Sequence, residues 1–117
     1  MECPICKNKT GFVLNPCLNY GGREELLNAV NQIIKAGEEN VDEKIFEKYL
    51  YTAGLLPLDF IIRTSGEKRS SNFLPWQATY SEWYYPKTYW PSFSKKELIK
   101  ALKAFMKRNR RFGAIKG

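Results

Sequence analysis

The sequence contains no histidine among its 117 residues. Histidine is the side chain most often used as a general base and as a metal ligand, so any catalysis must use carboxylates, arginines, hydroxyl groups or a bound metal. No apolar run approaches the roughly 18 residues that a membrane-spanning helix needs. The first residues also lack the apolar segment of a signal peptide, which predicts a cytoplasmic protein.

Cysteine is scarce, and the three cysteines are Cys3, Cys6 and Cys17. An odd number without a secretion signal argues against a disulfide scaffold. Cys3 and Cys6 have the spacing of half a zinc knuckle. A closed zinc site needs four ligands, however, and the three cysteines supply only three. Two interpretations stay open: a zinc site, or three reduced thiols with Cys17 packed as a small core residue.

Positive charge and apolar side chains are plentiful. Hydrophobic residues make up 44 % of the sequence and aromatic residues 15 %, which is enough to build a core. Nineteen basic residues against twelve acidic ones give a net charge of +7. This balance favours an anionic partner, such as a nucleic acid, a phosphorylated ligand or an acidic membrane surface, although it is also compatible with a role in solubility alone.

Hydrophobic periodicity and capping residues predict the order of elements. Asp42 is expected to cap a short second helix, Gly37 to end the first, and Ser94 with Glu97 to form a capping box for the last. The predicted elements are a strand at 11–18 interrupted by Pro16, helices at 24–35, 43–50 and 95–110, a strand at 58–62, and a strand or helix within 73–85. The order predicts an α/β fold with a partial parallel sheet and flanking helices.

The two long helices each carry an apolar stripe that we expect to face the core. The stripe of the first helix consists of Leu26, Leu27, Val30, Ile33 and Ile34, and that of the last consists of Leu98, Ile99, Leu102, Phe105 and Met106.

A polar loop, residues 63–72, follows the predicted strand at 58–62. Ligands of open α/β sheets bind at the carboxyl ends of the strands, which is where Arg63 lies. Arg69 and Ser71 add a second guanidinium and a hydroxyl, and the amides of residues 64–66 are expected to turn toward one point and bind an anion. Glu67 and Glu82 are carboxylates that could bring Mg²⁺ to such phosphates. The alternative is a surface loop of Arg–Glu pairs.

Several motifs in order resemble those of the cis-prenyltransferases, the undecaprenyl and dehydrodolichyl diphosphate synthases. They are NYGGREE at 19–25, LYTAGL at 50–55, RTSGEKRSSNFL at 63–74 with WQ at 76–77, YSE at 80–82, WP at 90–91, and RRFG at 110–113. The resemblance covers the C-terminal half of that family's fold. We therefore expect residues 11–117 to form a half-domain, preceded by an N-terminal extension at 1–10.

The resemblance implies an activity, since the family condenses isopentenyl diphosphate with an allylic diphosphate, such as farnesyl diphosphate, and uses Mg²⁺. It implies that substrate diphosphate is bound by Arg63, Arg69, Ser71, Arg111 and Gly113. It implies supporting roles for Glu67, Ser65, Gly66, Asn72 and Arg23, and a metal-binding role for Glu82. It also implies a homodimer or heterodimer, and contact with the membrane surface through a lipid product.

The sequence departs from the family in what it lacks and in three substitutions. The Asp-Gly-Asn-Gly-Arg loop, which carries the family's metal-binding aspartate, has no counterpart here, so no catalytic residue is assigned. Pro16, Pro75 and Thr79 replace residues of other types, and a proline inside a regular element is unfavourable.

Three interpretations follow. The first is a half-enzyme that needs a partner to supply the rest. The second is a truncated, inactive remnant or a non-catalytic subunit. The third, of another class, is a basic nucleic-acid-binding module with a zinc ribbon, which would leave the motif run from 63 to 82 unexplained.

Overall fold

The structure is a computed structural model, and it describes residues 10–11 and 13–108. It contains helix α1 (Gly22–Ala36), helix α2 (Glu43–Glu47), strand β1 (Phe60–Ile62), strand β2 (Glu82–Tyr84), a 3-10 turn (Trp90–Ser92) and helix α3 (Lys95–Met106). The expected α/β class with a partial parallel sheet is confirmed. No helix within the described part of the chain is long and apolar enough to span a membrane.

Strands β1 and β2 form a parallel pair in which Phe60 lies opposite Glu82 and Ile62 opposite Tyr84. Two further backbone bonds extend the pairing: the Glu82 N–H donates to the Asp59 carbonyl at 2.9 Å, and the Arg63 N–H donates to the Tyr84 carbonyl at 3.0 Å. A parallel pair needs a long crossover, and residues 63–81 provide it as a series of turns. The polar loop is therefore part of the crossover between the two strands.

The helix ends follow the capping residues. Gly37 adopts a left-handed conformation with φ 72° and closes α1 through its N–H. The Asp42 side chain accepts from the Ile45 N–H at 2.8 Å, and the Ser94 hydroxyl accepts from the Glu97 N–H at 3.4 Å. The predicted ends of these helices were therefore correct where a cap defined them, whereas α3 stops at Met106, before the predicted end at 110.

The helix faces differ from the expected apolar stripes. The buried face of α1 consists of Gly22, Glu25, Ala29 and Ile33, whereas Leu27 is 66 % exposed and Ile34 is 69 % exposed. On α3 only Ala101 is buried, and Phe105 packs on Phe60 with ring centroids 4.8 Å apart. The expectation that each stripe faces the core was wrong for most of its members, because the described residues offer too little surface to cover them.

The strand expected at 11–18 does not form in its described part, residues 13–18, and its apolar side chains Val13, Leu14 and Leu18 are exposed. Pro16 cannot donate to a ladder, and no strand among the described residues pairs with the segment. Residues 71–80 form turns, so Pro75 interrupts neither a ladder nor a helix. Pro75 instead packs against α1, since an added Cβ on Gly22 would lie 2.2 Å from the Pro75 Cδ.

Candidate functional site

The polar loop leaves the carboxyl end of β1 at Arg63, as expected. The Arg63 side chain is half-buried, and its Nη1 donates a hydrogen bond to the backbone carbonyl of Arg69. This contact spans the loop and brings the two arginines together at the edge of the sheet. The strand end and the loop closure thus place the Arg63 guanidinium and the backbone of Arg69 where α/β sheets bind ligands.

The turn amides of this loop have partners inside the protein. Ser65 and Gly66 both have positive φ, at 72° and 69°, and their N–H groups donate to the Thr88 carbonyl at 2.9 Å and the Pro86 carbonyl at 2.8 Å. The expectation that these amides converge on an anion was therefore wrong for both residues. Ser65 and Gly66 instead anchor the start of the loop to the segment that follows β2.

Arg69 and Glu67 form an ion pair on the surface. Their side chains are 64 % and 44 % exposed, so the pair is worth little, about 0–1 kcal/mol. This is the Arg–Glu pairing that a bland surface loop would also show. Separating Glu67 from Arg69 therefore costs little, because both groups are already in contact with water.

The end of the loop is held against helix α1. Asn72 has φ 65° and accepts two hydrogen bonds: its backbone carbonyl from the Gly22 N–H and its side-chain Oδ1 from the Arg23 N–H, both at 2.9 Å. Asparagine tolerates this left-handed conformation better than most residues. Asn72 thus caps α1 from outside, and fixes the backbone next to Ser71, which has φ 48°. Arg23 contributes its backbone, while the residue itself is exposed.

Glu82 does not lie with the two arginines. It begins β2 opposite Phe60, about 10 Å along the strand direction from the level of Arg63. Its carboxylate pairs with Arg108 at 2.5 Å, and Arg108 also donates to the Trp83 carbonyl at 2.9 Å. The structure therefore connects Glu82 to Arg108, the second residue after the end of α3.

The side chains that the structure describes do not by themselves form a magnesium site. Glu67 and Glu82 are each paired with an arginine. Within 10–11 and 13–108, no three Asp, Glu, Cys or His side chains are grouped closely enough to hold a metal ion. Mg²⁺ prefers six oxygen ligands in octahedral geometry, and Glu82 alone supplies too few of them.

Some sequence expectations fall on residues beyond the described range. Arg111, Gly113, Cys3 and Cys6 lie outside it. Cys17 is described and is a free, exposed thiol. The interpretation of Cys17 as a packed core residue was therefore wrong.

A buried carboxylate, missed in the sequence, links three of the motif segments. Glu25 is fully buried, and its carboxylate accepts hydrogen bonds from the Tyr20 hydroxyl, from the Tyr51 N–H at 2.8 Å and from the Gln77 amide at 3.0 Å. Gln77 also donates to the Thr52 hydroxyl at 3.0 Å. Three donors and the positive end of α1 compensate for the burial of this carboxylate.

The hydrogen bonds around Glu25 also affect the pKa of Tyr20. Burial raises the pKa of the Tyr20 hydroxyl above its usual value, and its hydrogen bond to the Glu25 carboxylate raises that pKa further. The Tyr20 ring contacts Phe73 edge-on at 5.7 Å. Glu25 lies at helical spacing between Gly22 and Ala29 on the buried face of α1, and the apolar stripe identified in the sequence did not indicate that face.

The chain is similar to known proteins of one family. The model of a prenyltransferase family described as "Putative undecaprenyl diphosphate synthase" matches residues 3–113. The isoprenyl transferase of Clostridium tetani is 50 % identical over 115 residues, which cover 93 % of this chain and 45 % of that protein.

Two solved structures are similar. A probable undecaprenyl diphosphate synthase from Campylobacter jejuni has a TM-score of 0.71 and 36 % identity, covering 83 % of this chain and 45 % of its own. Lavandulyl diphosphate synthase from Lavandula x intermedia, in complex with dimethylallyl diphosphate, has a TM-score of 0.73 and 34 % identity, covering 81 % of this chain and 44 % of its own.

The chain thus spans about half the length of the relatives that it matches. The resemblance stated from the motifs, to the C-terminal half of one family, is confirmed. This chain belongs to the family of undecaprenyl diphosphate synthases, the cis-prenyltransferases.

Proposed function

We propose that this chain provides the isopentenyl-diphosphate-binding half of a cis-prenyltransferase, and that a partner polypeptide completes the enzyme. The reaction would join isopentenyl diphosphate to an allylic diphosphate, with loss of a proton from the former and of diphosphate from the latter. The observation that supports this role is the loop at the carboxyl end of β1, where the Arg63 guanidinium donates to the backbone carbonyl of Arg69.

Arg63 and Arg69 would bind the diphosphate of isopentenyl diphosphate, with Ser71 adding a hydroxyl. Guanidinium groups bind phosphate oxygens in bidentate geometry, and such charge-assisted bonds are about twice as strong as neutral ones. Arg111 and Gly113 would complete the phosphate contacts, as the family resemblance implies. Glu67, released from Arg69, would remain beside the substrate as a supporting residue.

Magnesium belongs to the proposal as the cofactor that the family resemblance implies. Glu82 would supply one carboxylate ligand only after exchanging Arg108 for the metal. The other ligands would have to come from substrate phosphates or from a second polypeptide, either a partner subunit or a second copy of this chain. The described residues themselves bind, orient and charge-balance the substrate.

A binding measurement tests the loop directly. Titration of the chain with isopentenyl diphosphate should show binding that Arg69→Gln weakens about tenfold or more, since a charge-assisted bond is worth about 1.5–3 kcal/mol. Lys68→Gln is the matched control, because Lys68 is an exposed cation next to Arg69 with no assigned role. Equal effects of the two changes would mean that only net charge matters, and would contradict the site.

An assay of prenyl transfer tests whether the chain needs a partner. We expect incorporation of labelled isopentenyl diphosphate into lipid with farnesyl diphosphate and Mg²⁺ only when the chain is combined with the N-terminal part of a relative. Incorporation by the chain alone would contradict the need for a partner. Absence of incorporation by a complex that has formed would favour a remnant or a non-catalytic subunit.

A further inference from the structure

An apolar cleft of about 820 Å³ opens beside strand β1. The strand contributes Phe60 and Ile62, the segment before it contributes Leu55 and Leu56, and the crossover contributes Phe73 and Trp76. Leu56 is 92 % exposed and Leu55 is 47 % exposed. A concave apolar surface of this kind is typical of an interaction site.

The cleft lies along an open strand edge. The bonds of Asp59 and Arg63 to β2 direct the backbone groups of alternate residues, 59, 61 and 63, toward that strand. The N–H and carbonyl groups of Phe60 and Ile62 therefore point to the other edge of β1. Among the residues that the structure describes, no third strand pairs there. An open edge with an apolar face is a template for strand addition.

The chain's own unpaired segment does not fill this place. Asn15 and Cys17 line the cleft, while Val13, Leu14 and Leu18 are 73–87 % exposed. The first described segment thus reaches the rim of the cleft and leaves its own apolar side chains uncovered. Whatever covers the cleft would also have apolar surface on this segment to bury.

We propose that the cleft and the open edge of β1 are the docking surface for a second polypeptide, the counterpart of the N-terminal half of the relatives' fold. It would add a β-strand to the edge at Phe60 and Ile62 and cover the cleft with apolar side chains. Two observations select this occupant: more than half of each matched relative has no counterpart in this chain, and the exposed edge is that of a parallel sheet. The inference rests on the partner required by the proposed function, and it adds where that partner binds.

The charge around the cleft argues against an anionic membrane as the occupant. The charged residues that line it are Glu43 and Glu47, and no described lysine or arginine does so. Acidic lipid surfaces attract basic segments, so two carboxylates at the rim disfavour that alternative.

Co-expression tests the docking surface. The full chain would be expressed with the tagged N-terminal part of the Clostridium tetani isoprenyl transferase that the chain does not match, and the two should co-purify. Leu56→Asp should weaken the complex about tenfold or more, because a carboxylate would be buried without a partner. Leu27→Asp is the matched control, since Leu27 is an exposed leucine on α1 that does not line the cleft.

Hydrogen exchange separates strand addition from simple apolar contact. The amide of Ile61 already faces β2, so its exchange should change little on binding. The amides of Phe60 and Ile62 should become protected in the complex. Protection of neither would overturn strand addition at this edge.

Three other outcomes would overturn the proposal. They are failure of the wild-type chain to co-purify, equal effects of the two aspartate variants, and burial of the cleft by self-association or on vesicles containing anionic lipid. These measurements contain no substrate, so a complex that forms as expected but incorporates no isopentenyl diphosphate would contradict the proposed function and leave the docking surface standing.

Discussion

Replacing Glu25 with alanine should destabilise the protein far more than replacing its neighbour Glu24. Glu25 is fully buried and holds Tyr20, Tyr51 and Gln77 together, whereas Glu24 is exposed on the same helical turn. Both changes remove one acidic group near the N-terminus of α1, so any contribution of the helix dipole cancels in the comparison. The difference between the two variants then reports the buried hydrogen bonds.

The size of the loss in unfolding free energy follows from the hydrogen-bond donors that lose their acceptor. Glu25→Ala leaves the Tyr20 hydroxyl, the Tyr51 N–H and one bond of the Gln77 amide without this acceptor, and each unpaired buried donor costs about 1–3 kcal/mol. All three donors are only partly buried, so each should fall near or below the lower end of that range, and we expect a combined loss of about 2–4 kcal/mol in the free energy of unfolding. Glu25→Gln keeps an acceptor oxygen in place, and its loss should stay below about 1 kcal/mol because the weaker bonds are offset by removal of a buried charge.

Urea unfolding followed by tryptophan fluorescence measures these differences, since Trp76 lies next to Gln77 in the chain. The expected order of stability is wild type, then Glu24→Ala and Glu25→Gln close together, then Glu25→Ala well below. A Glu25→Ala variant within about 0.5 kcal/mol of Glu24→Ala, the usual range of surface substitutions, would refute the reasoning.

Three further predictions concern the same region. Gly22→Ala should lower the melting temperature while Gly11→Ala does not, because the new Cβ would lie 2.2 Å from the Pro75 Cδ in the first case and meets nothing within 4 Å in the second. Asn72→Ala should cost about 1 kcal/mol in urea unfolding through the lost bond to the Arg23 N–H, and Asn72→Asp should recover most of it because it keeps the acceptor. Since the pKa of Tyr20 is raised in the folded state, its contribution to stability is present below about pH 10 and lost as the pH rises toward the folded value. Tyr20→Phe should therefore show a smaller fall in unfolding free energy above about pH 10, and an unchanged fall would contradict the raised pKa.

Local signals in the sequence were sufficient for the helix ends that a capping residue defines and for the strand that ends at Ile62, but not for the segment at 11–18. Gly37 and Ser94 act on backbone groups within a few residues, so their effects can be predicted without knowing the rest of the fold. A strand depends on neighbours across the sheet, and the segment 13–18 has none among the described residues. The exposed stripes of α1 and α3 have the same cause, because periodicity identifies an apolar face but not the surface that covers it.

Some residues of the candidate site could likewise be predicted from the sequence, whereas others could not. Arg63 could be placed from the sequence, because the apolar run before it predicts where the strand ends. Glu25 could not, since an acidic residue in the first turn of a helix is ordinarily explained by the helix dipole. Two of its donors are 26 and 52 residues away in the chain, so only the fold brings them together.

The polar loop combines a fixed backbone with weakly held charges, and this combination suits the proposed substrate. Its start is anchored through the Ser65 and Gly66 amides, and its end through the bond of Asn72 to α1. Arg69, by contrast, has an exposed carboxylate partner, which contributes about 0–1 kcal/mol. A diphosphate offers several oxygens in a geometry that guanidinium forks match, so it gains more from Arg69 than Glu67 loses. Because the backbone is already in place, little of that gain would be consumed by ordering the loop, and the proposed site would bind its anion without any histidine.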